Sequence, residues 1–158
     1  MKAKIRKIVQ KYGDKSFLVP ILQDMQKEWN YLPKDVLKTL STVIDVPISR
    51  IYEVATFYKA FSLTPRGRHT LMLCRGTACH VRGTALLDGH IERNLGIKNG
   101  ETSPDLEFTY ETVNCLGACA LGPILVVDGQ YHGHMDISKV DKIIKDLRKK
   151  VEASNETD

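Results

Sequence analysis

The 158-residue chain contains four cysteines, Cys74, Cys79, Cys115 and Cys119. They form two tight pairs, Cys-Arg-Gly-Thr-Ala-Cys and Cys-Leu-Gly-Ala-Cys, separated by residues 80–114. A fold that accepts this pattern must bring two short loops together, and the thiols on those loops are suited to holding something between them. Soft sulfur ligands select zinc, copper(I) or iron–sulfur clusters. Four thiolates around one centre suit a structural Zn²⁺, a [2Fe–2S] cluster or a [4Fe–4S] cluster.

Spacing separates these options in part. Structural zinc sites most often place two residues between paired cysteines, which wraps a single ion. Here the gaps are residues 75–78 and residues 116–118. A two-iron cluster is wider than one ion and takes two protein ligands per iron, so one wide pair per iron fits it better. The plant-type [2Fe–2S] ferredoxin uses a comparable gap for its first pair. It places its other cysteines differently, so that fold is not implied. The residues between the cysteines also suit a cluster. Gly76, Ala78, Gly117 and Ala118 are small and let backbone N–H groups approach the sulfurs. Neither loop carries an acid, and Arg75 adds a positive charge.

Other readings of the four cysteines remain open. Disulfides would need an oxidising compartment, and the N-terminus, Met1-Lys2-Ala3-Lys4-Ile5-Arg6, lacks the apolar core of a signal peptide. A zinc-stapled helical adaptor with no redox role uses the same ligands. A thioredoxin-type dithiol needs Cys-x-x-Cys, which is absent. His80 adjoins Cys79, but four cysteines complete a site without it, so it reads as a neighbour or surface residue. His132-Gly133-His134 reads as a turn.

The chain before the cysteines is helical by its spacing. Residues 2–12 set Ile5, Ile8, Val9 and Tyr12 on one face, and Gly13 stops them. Ser16 is placed to cap a second helix running to about Asn30, with Pro20 near its first turn and Ile21, Leu22, Met25 and Trp29 inside. Pro33 and Pro47 are expected at the first positions of two more helices. The first buries Val36, Leu37, Leu40, Val43 and Ile44, and the second Ile48, Ile51, Tyr52, Ala55 and Tyr58. Tyr31, Tyr52, Phe57, Tyr58 and Phe61 read as core, or as a docking surface. Ser62 to Arg68 is a linker by its Pro and Gly content, which gives a helical bundle over 1–65 and a second domain over 66–158.

That second domain alternates. His69 to Leu73 reads as a strand delivering Cys74. Residues 80–95 read as a helix with Val81, Ala85, Leu86, Ile91 and Leu95 inside, and Cys79 near its N-terminus, where the helix dipole favours a thiolate. Glu107 to Val113 alternates as a strand delivering Cys115. Ile124–Val127, Asp128-Gly129 and Gln130–His132 read as a hairpin. A last helix starts near Ser138, with Asp141 completing a capping box, and buries Ile137, Val140, Ile143, Ile144, Leu147 and Val151. The expectation is an α/β fold, with helices against a small mixed sheet.

Composition excludes several functions. The net charge is only +4, and no nucleic-acid-binding motif accompanies the lysines, so they read as solvated helix faces. No stretch approaches the ~18 apolar residues of a membrane span. No GxGxxG fingerprint, Walker A loop or Ser-His-Asp context occurs, so no catalytic residue and no nucleotide or flavin site is assigned to this chain.

The pattern as a whole resembles a known family. Cys-x-x-x-x-Cys followed by Cys-Leu-Gly-x-Cys, the segment Ile51-Tyr52-Glu53-Val54-Ala55-Thr56-Phe57-Tyr58, and Gly122-Pro123 after the last cysteine are similar to the 24-kDa-type [2Fe–2S] subunit of NADH dehydrogenase (complex I). The same subunit type occurs in NAD-linked, electron-bifurcating hydrogenases and in formate dehydrogenases. The resemblance implies a thioredoxin-like [2Fe–2S] ferredoxin domain behind the helical bundle, with Cys74, Cys79, Cys115 and Cys119 as metal ligands. It implies electron transfer, with FMN and NAD bound by a flavoprotein partner and further iron–sulfur subunits in the complex. A cytoplasmic location follows, either free or in a membrane-associated complex, with neither nucleic acid nor direct membrane insertion. A free-standing ferredoxin would share the cluster without that partner.

Overall fold

Prolines and left-handed caps divide the first part of the chain into four helices. They are α1 (Lys2–Tyr12), α2 (Leu18–Trp29), α3 (Lys34–Ile44) and α4 (Ile48–Phe57). The computed structural model describes residues 1–13 and 17–155, with the side chains of α7 (below) described only as far as residue 149. Gly13, Asn30 and Asp45, all at positive φ, end α1, α2 and α3. Pro33 and Pro47 stand one position earlier than expected, just outside their helices in extended backbone. Their carbonyls accept from the N–H groups of Leu37 and Ile51, so each proline starts its helix without needing an N–H of its own. Ser16 lies outside the described residues, and Phe17 occupies the cap position of α2.

The four helices close on one apolar core. Ile5, Ile21, Leu22, Met25, Leu37, Leu40 and Ile51 have no exposed surface. Ile21 and Leu22 lie four and three positions before Met25 on α2, and Leu37 three before Leu40 on α3, which puts them on one face of each of these helices. Ion pairs fasten the rim: Lys4 meets Glu28, and Asp24 accepts from Lys11 Nζ and Tyr12 Oη at 2.6 Å each. Of the aromatic group, Phe61 is buried while Phe57 is 79% exposed.

Chain contacts divide the protein into two compact units, Met1–Arg66 and Gly67–Asp158. The second carries four strands, β1 (His69–Cys74), β2 (Phe108–Val113), β3 (Leu125–Val127) and β4 (Gln130–His132), in the order β2-β1-β3-β4. β1 is central, parallel to β2 and antiparallel to β3. Asp128 and Gly129 both take positive φ and join β3 to β4, as a two-residue hairpin turn of type I′ requires. Among the described residues no helix is long and apolar enough to cross a membrane.

The crossover from β1 to β2 differs from the expected single helix. It is broken into α5 (Thr77–Val81) and α6 (Thr84–Leu95). The backbone reverses at Gly83, with φ 97°, and this rotates the buried face. Thr84, Leu87, Ile91 and Leu95 are inside, whereas Val81 and Leu86 are 81% and 71% exposed and Ala85 is exposed. The last helix, α7 (Ile137–Asn155), starts one residue before Ser138. Asp136, not Ser138, accepts the Lys139 N–H at 2.8 Å. Asp141 instead ties α7 to α6, bonded to His90 Nε2 and accepting from Asn94 Nδ2.

Alternation along the strands sends side chains to two faces. Leu71, Leu73, Phe108, Tyr110, Leu125 and Val127 meet α6 and α7 in the main core. Met72, Cys74 and Val126 turn to the other side, where they form a small cluster with Cys79, Leu116, Ala118 and Ile124.

Candidate metal centre

Both cysteine pairs leave the same end of the sheet, because β1 and β2 run parallel and in register. Cys74, the last residue of β1, lies opposite Val113, the last of β2. The ladder continues past them, with the Arg75 N–H on the Val113 carbonyl at 2.7 Å and the Cys74 N–H on the Ile124 carbonyl at 3.0 Å. Cys115 therefore starts its loop beside the loop that Cys74 starts. Cys79 sits in α5, and Cys119 opens a 3₁₀ turn, Cys119–Leu121.

Two glycines allow the loops to touch. A Cβ on Gly76 would stand 2.7 Å from the Asn114 carbonyl oxygen and 3.5 Å from the Cys115 Cβ. A Cβ on Gly122 would stand 3.0 Å from Cys79 Sγ and 3.3 Å from the Cys119 oxygen. Each loop thus lays a bare glycine against a cysteine of the other, an approach that a side chain would prevent.

The four thiols form a chain of neighbours. Cys74 interacts with Cys79 and with Cys115, and Cys115 with Cys119. Cys115 Sγ and Cys119 Sγ are 4.0 Å apart. Two thiolates bound to one tetrahedral metal at about 2.3 Å stand about 3.8 Å apart, so this pair already has the spacing of two ligands on one iron. Among the described residues no three cysteine, histidine or carboxylate side chains close on one ion-sized point. Cys74 links the two pairs, touching its own partner Cys79 and also Cys115 of the second pair.

Burial divides the site. Cys74 and Cys79 are buried among Ile124 and Val126, while Cys115 and Cys119 are exposed. Burial pushes the Cys74 thiol up, but the Gly76 and Leu116 N–H groups and the neighbouring thiols outweigh it, so Cys74 ionises more readily than an ordinary thiol. Burial and the adjacent Cys74 push Cys79 up. Cys119 is raised by Cys115. The Gly117 N–H donates to Cys115 Sγ at 3.3 Å. Backbone donors thus reach the sulfurs through the small-residue loops, which is how such loops favour thiolate and cluster charge.

Residues between the cysteines hold the loops. The charge of Arg75 is shared with Asp88 at 3.5 Å, and that carboxylate also accepts from Tyr110 Oη at 2.6 Å. Tyr110 is held well above its ordinary value by burial and by Asp88. Arg82 bridges to the second loop through carbonyl oxygens. Neither Asp88 nor Arg82 stands out in sequence, because each reads as one more charge on a helix face. His80 is exposed, His132 half-buried and His134 exposed. A groove of about 630 Å³ lies elsewhere, in the helical unit, between α2 and α4.

A four-stranded mixed sheet with helices on its main-core face and two cysteine loops at the common end of the parallel strands β1 and β2 defines a small domain with a thiolate-ligand site. The family model for thioredoxin-like [2Fe–2S] ferredoxins matches residues 5–148. The chain belongs to this family, and the family's cofactor is a [2Fe–2S] cluster. It is 39% identical over 149 residues to an E-type NADH-quinone oxidoreductase subunit of Rhizobium meliloti (strain 1021), covering 94% of this chain and 89% of that one. It is 34% identical over 140 residues to the NADP-reducing hydrogenase subunit HndA of Solidesulfovibrio fructosivorans, covering 89% of this chain and 80% of that one. The fold is similar to part of a crystal structure of an NAD⁺-reducing [NiFe]-hydrogenase in the air-oxidized state, with TM-score 0.72 and 23% identity. That match covers 82% of this chain and 23% of the hydrogenase chain.

Proposed function

We propose that Cys74, Cys79, Cys115 and Cys119 hold the [2Fe–2S] cluster, one pair to each iron. On this reading the chain exchanges single electrons with a flavoprotein subunit that binds FMN and NADH, within an NAD(P)-linked oxidoreductase complex. The observation that carries the reading is the approach of the two loops. Parallel strands in register, with glycines at both contacts, bring thiols together from positions far apart in sequence. When bound, the cluster supplies one-electron chemistry at a potential set by its surroundings.

The chain's own residues prepare that site. The Gly76, Leu116 and Gly117 N–H groups point at sulfurs and favour the anionic state. Ile124 and Val126 exclude water from the Cys74 and Cys79 side. Cys115 and Cys119 face outward, so an electron leaves by that edge. The subunits named among the relatives support a partner of the NADH- or NADP-linked kind. The 66–158 domain carries the site, and the 1–65 bundle contributes surface to the assembly. The assembly works on the cytoplasmic side, alongside other iron–sulfur subunits.

The test is anaerobic purification followed by iron, sulfide and zinc analysis and low-temperature EPR of the dithionite-reduced protein. About two irons per chain with an S = 1/2 signal is expected. About one zinc per chain and no signal would leave a structural adaptor instead. Mixing with an NADH-reduced flavoprotein subunit from the same complex tests the electron exchange.

A further inference from the structure

Arg82 connects the two cysteine pairs directly. Its backbone N–H donates to the Cys79 carbonyl at 3.1 Å. Its guanidinium Nη1 donates to the Cys119 carbonyl at 2.8 Å and the Ala120 carbonyl at 3.1 Å, and lies 3.3 Å from the Gly122 carbonyl oxygen. One residue therefore spans from a cysteine of the first pair to a cysteine of the second. It gathers three carbonyls at the 3₁₀ turn that carries Cys119, where intrahelical donors run out. Gly122, whose carbonyl it reaches, is also the residue packed on Cys79 Sγ.

We infer that Arg82 is a positioning residue for the cluster: it sets the span between the two ligand pairs, and its charge stabilises the reduced state. This rests on the four-cysteine reading above. All three contacts run through one nitrogen, Nη1, held at the tip of a rigid, permanently charged planar group, whereas a lysine ammonium ends a flexible stem. Electrostatics give the direction of the second effect. Reduction adds one negative charge to the cluster, and a nearby cation favours that state. Arg82 Nη1 bonds the loop carbonyls, so the residue acts through the loop it holds and through its charge.

The test compares wild type, R82M and R82K as the full chain purified anaerobically, with the fold checked by circular dichroism. Outer-shell partners of a metal site are worth roughly 10- to 100-fold in retention. Under a fixed concentration of an iron chelator, R82M is expected to bleach roughly tenfold faster than wild type. R82K, with the charge but without the rigid planar group, should fall between the two. The midpoint potential should drop in R82M and return towards wild type in R82K, which a purely mechanical brace would not produce. An R82M protein with wild-type bleaching and potential overturns the inference. If R82M does not fold, R82K decides alone: bleaching faster than wild type at a near-wild-type potential is expected, and wild-type bleaching overturns the inference. Cys→Ser variants at the four proposed ligands that keep the wild-type iron content would overturn the four-cysteine reading instead.

Discussion

Among the described residues, the buried set of the helical unit is entirely hydrophobic, from Ile5 to Phe61. The α/β unit buries Thr84, Ser103 and Thr109 along with the thiols of Cys74 and Cys79. The helical unit makes most of its backbone hydrogen bonds within its helices and joins them through one apolar core. The α/β unit divides its sheet between two tasks. One face carries Leu71, Leu73 and Tyr110 into a conventional core, while the other carries Cys74 beside Ile124 and Val126. The buried thiols, Cys74 and Cys79, both belong to the first pair, while Cys115 and Cys119 are exposed, and ionising one thiol raises the cost of ionising its neighbour. On the four-cysteine reading proposed above, a bound metal would offset that cost and link the stability of this face to its cofactor.

Stripping the iron tests this contrast most severely. A chelator should abolish the visible absorption and the EPR signal, lower the stability of the α/β unit and leave amide exchange protection in α1 to α4 unchanged. Equal loss of protection in both units would break the contrast. Core truncation should separate them by readout. Leu40→Ala is expected to cost about 2–5 kcal/mol in denaturant unfolding, through the cavity it leaves, with the EPR line shape intact. Leu73→Ala, of similar cost, precedes Cys74 on β1 and should also reduce iron content.

Smaller effects sharpen the division within the site. In the metal-free chain, Cys74→Ser or Cys79→Ser places a hydroxyl among apolar neighbours and should cost about 1–3 kcal/mol. Cys115→Ser or Cys119→Ser, already exposed, should leave the metal-free midpoint unchanged while still removing cluster. Asp24 gives the smallest effect. Its carboxyl is held down to about 2 by hydrogen bonds from Lys11 and Tyr12. Its folded value lies below its unfolded one, so its contribution is present above pH ~4 and lost as pH falls towards about 2. The urea midpoint of the helical unit should fall across that window, and Asp24→Asn should flatten the dependence.

Much of this was readable without coordinates. The periodicity of Ile5, Ile8 and Val9, the stop at Gly13 and the Asp128-Gly129 hairpin are local signals, carried by residues a few positions apart. The cysteine spacing pointed to a thiolate centre, because ligand chemistry depends on residue type. The errors share a cause. The helix over 80–95 was expected to be continuous, and Val81 and Leu86 were assigned to its inner face, but the reversal at Gly83 turned both outward. Ser138 looked like the cap of α7, yet Asp136 took that role and Asp141 was drawn to His90 across the gap between helices.

What the sequence determined by itself was therefore the inventory: four helices punctuated by Pro and Gly, an alternating second half, and four sulfurs in two pairs. What only the tertiary structure decided was how those sulfurs meet. The parallel register of Cys74 with Val113 sets both loops at one end of the sheet. The contact of Gly122 with Cys79 and the reach of Arg82 to the Cys119 carbonyl then close the gap. Each joins residues more than thirty positions apart, and no local propensity encodes such a distance. It is fixed when the apolar faces of β1, β3, α6 and α7 pack together and leave the chain a single way to connect them.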